Sequence, residues 1–296
     1  MRLYIFYRKG GMPMTDKKHI GFIGAGKVGF SLGRYLMEHH MDVSGYYSQN
    51  PKSAQEAAKF THTKFFEKLD DVVDKSEVIF LTVPDHAIKS VWEALKQHAI
   101  QGKIVCHCSG ALTSDLFSNI DVYKAYGYSI HPLFAICDKY HSYKELSKCL
   151  FTIEGHKQYI PYFKDLFEKL GNPLQVISKA EKMRYHAAAA MASNLMVALA
   201  SICENQLQMC GFSAENAHQA LKPILLSNME HIVHLGCVKA LTGPLERGDI
   251  ETVKKHLHVL EDNDALIYKG LSKALLSLAK QKNPERDYSQ MEALFK

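Results

Sequence analysis

The sequence predicts an α/β protein: a doubly wound, mostly parallel sheet followed by an all-helical C-terminal domain. Two observations carry that prediction. In the first half, short apolar runs alternate with amphipathic stretches, the pattern of parallel strands covered on both faces by helices. From about Lys179 onward no run reads as a strand, and only helical periodicity remains.

Strands are expected at residues 19–23, 43–47, 78–83, 104–107, 128–130 and 150–153, with helices between several of them at 30–39, 51–60 and 87–98. In the second half, 180–210, 214–235, 250–260 and 265–280 carry helical spacing. Ser213 and Asp249 stand where N-caps belong, and Gly211 and Gly236 where helices stop. Pro223 predicts a kink or break near Lys222, and Asn283-Pro284 closes the last helix. The expected division is an N-terminal extension over 1–18, a dinucleotide-binding domain over 19–178, and an all-helical substrate and dimerisation domain over 179–296.

Composition narrows the classes. At 296 residues the chain exceeds one ordinary core, and 47% apolar with 23% charged residues is the balance of a soluble globular protein. Lys+Arg at 36 against Asp+Glu at 31 leaves a formal charge of +5 with no basic stripe, which argues against nucleic acid as a partner. Seven cysteines without a C-x-x-C pair read as reduced, buried thiols of a cytoplasmic protein. The first 18 residues lack the order of a signal peptide. The uncharged stretch 187–203 falls short of the ~20 residues of a membrane span and contains Ser193, Asn194 and Ser201, so it reads as a buried helix, with no membrane contact.

The strongest local signal is His19-Ile-Gly-Phe-Ile-Gly24-Ala25-Gly26-Lys27-Val28-Gly29, a G-x-G-x-x-G between an apolar strand and an amphipathic helix. Gly24 permits the tight turn, Gly26 lets the backbone approach a pyrophosphate, and Gly29 lets helix and strand pack closely. The phosphates would meet the helix's N-terminal amides and positive dipole end. NAD specificity usually rests on an acid about 20 residues further on. Here Ser48, Gln49 and Asn50 with Lys52 offer donors instead, which favours NADP over NAD. Ordinary turn residues at a strand end are the plainer reading of that segment.

Two loops follow strands whose carboxyl ends should face the ligand: Thr82-Val83-Pro84-Asp85-His86 and His107-Cys108-Ser109-Gly110-Ala111. Val83, Pro84 and Ser109 are assigned to the cofactor and Gly110 to substrate. Zinc at Cys106-His107-Cys108 is set aside, because successive strand residues point to opposite faces and no second ligand pair follows. No metal is expected.

In the second half, polar groups in apolar surroundings stand out. His131 and His186 are candidate proton donors, Asn194 lies two turns beyond His186 on nearly the same helix face, and Thr242, Arg247 and Asp249 occupy a Gly/Pro-shaped loop suited to a small anionic substrate. Capped or core histidines, and an N-cap role for Asp249, are the bland alternatives. The small apolar helix 187–202 reads as domain core or subunit interface.

GFIGAGKVG, LTVPDHAI, CSGAL, SIHPL, YHAAAAMASN and LTGPLERGD together resemble Rossmann-fold NADP-binding proteins of unassigned function. These are related to the superfamily of 6-phosphogluconate dehydrogenase, 3-hydroxyisobutyrate dehydrogenase, ketopantoate reductase and pyrroline-5-carboxylate reductase. The resemblance covers nearly everything beyond residue 18 and implies NADP at the glycine loop, a helical domain closing the substrate site, and a homodimer. Several such enzymes use a lysine four residues before an asparagine as acid or base. Asn194 matches, but position 190 is alanine, and Lys182 would lie about 18 Å from Asn194 on a straight helix. The expected function is NADP-dependent reduction of a small carbonyl or imine compound with a histidine as proton donor. The alternative is an NADP-binding sensor or interaction protein without dehydrogenase activity, and a methyltransferase is a distant third.

Overall fold

The computed structural model describes residues 18–295. The expected extension over 1–18 therefore lies, except for Lys18, outside the described residues. The chain divides into two compact units, the first ending at Ser193 and the second beginning at Asn194. The boundary thus falls later than the 178/179 junction read from the sequence.

The first unit runs β1 (Ile20–Ile23), α1 (Lys27–Glu38), β2 (Val43–Tyr47), α2 (Pro51–Thr61), β3 (Lys64–Phe65), α3 (Leu69–Asp74), β4 (Val78–Leu81), α4 (Asp85–Leu95), β5 (Ile104–His107), β6 (Tyr126–Pro132), β7 (Phe151–Gly155), α5 (Ile160–Lys169), β8 (Leu174–Val176) and α6 (Lys182–Ala192). The eight strands lie in the order β3-β2-β1-β4-β5-β6-β7-β8, and among them only β6 and β7 pair antiparallel. After β1 the chain builds outward through β2 and β3, then returns to place β4 on the opposite side of β1. That reversal opens a crevice at the carboxyl ends of β1 and β4.

Burial on both faces explains why these strands read as continuous apolar runs. Along β4, Val78 and Phe80 join one core with Phe22, Phe30 and Tyr46, while Ile79 and Leu81 join the other with Val72, Ile88 and Trp92. The side-chain alternation of a strand feeds both cores at once. Sequence reading passes over β3 and β8, which have only two and three residues and take their form from their neighbours.

The second unit contains α7 (Asn194–Met209), α8 (Ala214–Leu235), α9 (Cys237–Ala240), α10 (Pro244–Arg247), α11 (Ile250–Val259), α12 (Asp262–Lys282) and α13 (Ser289–Leu294). Ser213 and Asp249 cap α8 and α11 as expected, accepting from Asn216 N and Thr252 N. The predicted single helix over 180–210 is instead broken at Ser193 (φ −119°, ψ −81°), whose hydroxyl bonds back to Ala189 O at 2.8 Å and competes with the helical ladder. Conversely, α8 continues through Pro223, so one missing hydrogen bond does not end it.

Burial in this unit departs from expectation. The core gathers Leu241, Leu245, Val253, Leu276, Ala279, Tyr288, Met291 and Phe295. None of the sixteen residues of α7 is buried, and α8 buries only Ala217. The helical run over Lys179–Met209 is long and apolar enough, by length and composition, to cross a membrane, but its most apolar window is 0% buried, which overturns the reading of 187–203 as a buried helix.

Candidate functional site

The glycine loop sits at the crevice. Gly24 has φ +100°, and a Cβ there would stand 2.8 Å from the Thr82 carbonyl carbon, so two separate constraints exclude a side chain. Gly29 is equally reserved, because its Cβ would meet Thr82 Oγ1 at 2.3 Å, which is how α1 packs close to β4. Thr82 Oγ1 in turn donates to Gly24 O at 2.8 Å, and Gly24 N donates to Tyr47 O at 2.8 Å, joining the ends of β1, β2 and β4.

Gly26 differs. The nearest atom to its hypothetical Cβ is Thr82 O at 3.7 Å, an ordinary contact, so the protein itself does not demand glycine there. It is the N-cap of α1, without a side-chain cap and without an acid in the first turn, leaving the helix's first amides open to an anion. Gly24, Ala25 and Gly26 line a cavity of about 520 Å³ together with Tyr47, Ser48, Gln49, Asn50, Ser53, Val83, Pro84 and His86. Residues and shape fit a dinucleotide laid across the switch point. The lining contains no carboxylate to receive ribose hydroxyls. Asn50 is partly committed, since its side chain caps α2 by accepting from Lys52 N at 3.1 Å. Lys27, Val28, Gly29 and Ser109, assigned to the cofactor from sequence, do not line this cavity; Lys27 is exposed at the start of α1, and Gly29 serves packing.

Beyond Pro84 a hydrogen-bonded series leads to a second set of groups. Ser109 Oγ donates to Asp85 Oδ2 at 2.6 Å and accepts from Ala111 N and Leu112 N, so this hydroxyl locks the loop after β5 and is not free for a ligand. Ser129 Oγ donates to Ser109 O at 3.2 Å, and Lys182 Nζ donates to Ser129 Oγ at 2.6 Å. Lys182 is 1% exposed. Burial pushes its pKa down to about 8, against the upward pull of Glu154, Cys108 and Asp85. Glu154 is itself buried and held by Ser114 N and Ser114 Oγ.

The histidines close this corner. A Cβ at Gly110 would approach His186 Cδ2 to 2.7 Å and His131 Nε2 to 2.9 Å, so the absence of a side chain there makes room for both rings. His131 Nδ1 is 2.7 Å from the Tyr185 hydroxyl. Burial lowers the His131 pKa to about 4, with the Lys182 charge acting in the same direction, so the ring is neutral at physiological pH.

Of the residues singled out from sequence, His131, His186, Ser109 and Gly110 converge in the first unit. Asn194, Thr242, Arg247 and Asp249 belong to the second. Asn194 starts α7 beyond the Ser193 break and shares no continuous helix face with His186, which corrects the two-turn expectation. Asp249 is engaged as a cap, accepting from Thr252 N at 3.1 Å and Thr252 Oγ1 at 2.7 Å, while Thr242 and Arg247 are exposed. The residue that sequence reasoning passes over is Lys182. Its distance from Asn194 counts against it, whereas its one-turn partner is His186, four residues on. Asp85, Ser129 and Tyr185 escape sequence reasoning as well, because only the fold brings their strands and helices together.

Residues 19–109 match the family described as NADP oxidoreductase coenzyme F420-dependent, and residues 149–275 match a Domain of unknown function (DUF2520). A comparison with curated proteins finds no match. Among solved structures, protein TM1727 from Thermotoga maritima is 26% identical, with 89% of this chain and 99% of that chain covered at a TM-score of 0.71. A pyrroline-5-carboxylate reductase from Coxiella burnetii shares 14% identity over 90% and 99% of the two chains (TM-score 0.62). An imine reductase from Pseudomonas sp. shares 15% over 90% and 93% (TM-score 0.55). The last two likenesses show the fold alone. The chain therefore joins an NADP-oxidoreductase-type Rossmann domain to a DUF2520-type C-terminal region.

Proposed function

We propose that this union of a nucleotide-binding Rossmann domain with a helical region is an NADP-dependent oxidoreductase that reduces a small carbonyl or imine compound. The observation that carries the reading is the hydrogen-bonded series Asp85–Ser109–Ser129–Lys182, which runs from the loop beside the cavity to a buried ammonium group. A bound NADPH supplies the hydride for such a reduction. The substrate oxygen or nitrogen must then gain a proton, and Lys182 Nζ holds one at neutral pH and releases it near pH 8. His131 is neutral in that range and suits hydrogen-bond donation better than proton delivery. His186, with its ring against Gly110, is the second proton candidate. Preference for the 2′-phosphate is inferred from Ser48 and Gln49 in a cavity wall without acids. The alternative of binding without catalysis draws its support from a missing lysine, and Lys182 removes that support.

Calorimetry with NADPH and NADH, followed by cofactor absorbance with 2-oxo acids, 3-oxo acids and cyclic imines, tests the proposal. Binding of NADPH several-fold tighter than NADH, with turnover on at least one class, is expected. No affinity for either nucleotide sinks the cofactor assignment, and binding without any oxidation sinks the reaction.

We further infer a homodimer through the helical unit. Leu195, Val197, Ile224, Leu226, Val233 and Leu266 are each more than half exposed, apolar side chains on α7, α8 and α12 that a second copy would cover. Light scattering should give a mass of two chains.

A further inference from the structure

One rung of the sheet changes character along its length. Ile23, Leu81, His107, Ser129 and Glu154 are successive partners across β1, β4, β5, β6 and β7, so their side chains share one face. Ile23 and Leu81 enter an apolar core, whereas His107, Ser129 and Glu154 are polar and at most 2% exposed. Each of the three is committed. His107 Nε2 donates to Thr113 O at 3.2 Å while its Nδ1 accepts from Ser109 N at 3.2 Å, which leaves an uncharged ring with neither nitrogen free. Both oxygens of Glu154 accept from Ser114, as an ionised carboxylate does. Ser129 stands between them and gives its proton to Ser109 O, so its lone pairs are what meets Lys182 Nζ at 2.6 Å.

The ammonium therefore rests on the middle residue of the polar rung, and the Glu154 carboxylate belongs to the residue directly opposite on the next strand. Such cross-strand pairs hold their Cβ atoms about 4.5–5.5 Å apart, so the sheet itself brings the two opposite charges into one buried neighbourhood. Charge attraction acts across such a gap without a hydrogen bond, and burial protects it from screening. The other titratable groups around Lys182 are His131 on β6, His107 on β5, Cys108 in the loop after β5, Asp85 on α4, and Tyr185 on its own helix. Burial holds both histidines neutral, raises the Tyr185 phenol and pushes the Cys108 thiol up to about 12, so none of the four is charged near pH 8. The Asp85 carboxylate is exposed to water and stands two serines removed from the lysine.

We propose that Ser129 and Glu154 are positioning residues for Lys182: the serine fixes where the ammonium sits, and the glutamate, through its fixed negative charge, keeps it protonated for delivery to the atom being reduced. The delivery rests on the reductase reading above, whereas the cradle stands without it. A lysine buried with neither an acceptor nor a counter-charge sheds its proton below neutral pH and has none to give.

Titration of Lys182 through the carbon-13 shift of its Cε atom, assigned by difference from Lys182→Met, tests the proposal without nucleotide or substrate. The native midpoint is expected near pH 8. Glu154→Gln can keep both contacts to Ser114, its amide oxygen accepting from Ser114 N and its amide nitrogen donating to Ser114 Oγ, so the variant removes the charge and little else. Its midpoint should fall by about 1 pH unit, and that of Ser129→Ala likewise, because an opposite charge and a hydrogen bond each favour the ammonium. Asp85→Asn should have less than half that effect. The alkaline limb of kcat should move with the midpoint, lowering turnover at pH 8 roughly 5-fold with KM for NADPH unchanged. A native midpoint at the ordinary lysine value, an unmoved midpoint in Glu154→Gln or Ser129→Ala, or a larger shift in Asp85→Asn than in Glu154→Gln overturns the proposal. The expected midpoints in a protein that oxidises no NADPH would leave the cradle standing and overturn the reductase reading instead.

Discussion

Every residue of β1, β4 and β5 in the first unit is buried, whereas α7 in the second buries none of its sixteen. Both segments are strongly apolar. The sheet consumes its apolar side chains internally, because strands covered on both faces have no outward side. The helical unit closes a small core around α9 to α13 and leaves the α7 and α8 surfaces available. The first unit thus spends its apolar residues on two internal cores, while the second leaves those of α7 and most of α8 unburied.

The comparison can be broken most sharply with glycine. Gly24→Val meets both a left-handed backbone and the Thr82 carbonyl, so strain and overpacking together should cost about 3 kcal/mol and abolish NADPH binding. Gly270→Ala on α12, with nothing within 4 Å, should instead leave stability unchanged or raise it by up to ~1 kcal/mol. Urea denaturation compares the two directly.

Next in size is Lys182→Met, expected to lower kcat by roughly 10²- to 10⁴-fold with little change in NADPH affinity. In the native protein kcat should fall as pH rises through about 8, where the ammonium loses its proton. Stability should move the other way. A lysine whose folded pKa is depressed binds fewer protons than its unfolded counterpart between about 8 and the ordinary lysine value, so stability rises across that window. Denaturation midpoints in Lys182→Met should lack that rise.

A Leu195→Glu, Leu226→Lys pair on the exposed helices should halve the mass seen by light scattering, while the folded monomer shifts by no more than about 0.5 kcal/mol. A variant mass still of two chains would overturn this face as the interface, and a native mass of one chain would overturn the dimer itself. A cap gives the most local effect. Ser213→Ala removes the acceptor for Asn216 N and should cost about 1 kcal/mol, read as a lower Tm.

The glycine loop illustrates what local sequence can disclose. Gly24 and Gly29 are demanded by backbone angle and helix packing, both short-range, and the strand–loop–helix order is legible from the residues themselves. The corner around Gly110 is not, since His131 comes from β6, Tyr185 and Lys182 from α6, Ser109 from the loop after β5 and Asp85 from α4. Apart from Lys182 and Tyr185, three residues apart on α6, no spacing along the chain relates these positions. Lys182 is visible in the sequence, but there its natural reference is Asn194, along a helix that Ser193 breaks.

From the order of its residues alone this protein was determined to be a parallel α/β domain with a phosphate-binding turn and a helical C-terminal half, because hydrophobic period, glycine placement and capping act over a few residues. Tertiary structure decided which lysine is buried, which histidine is held neutral, which glycine is left for the ligand, and which apolar helices stay outside. Burial and the fields of distant charges arise only when separated segments meet.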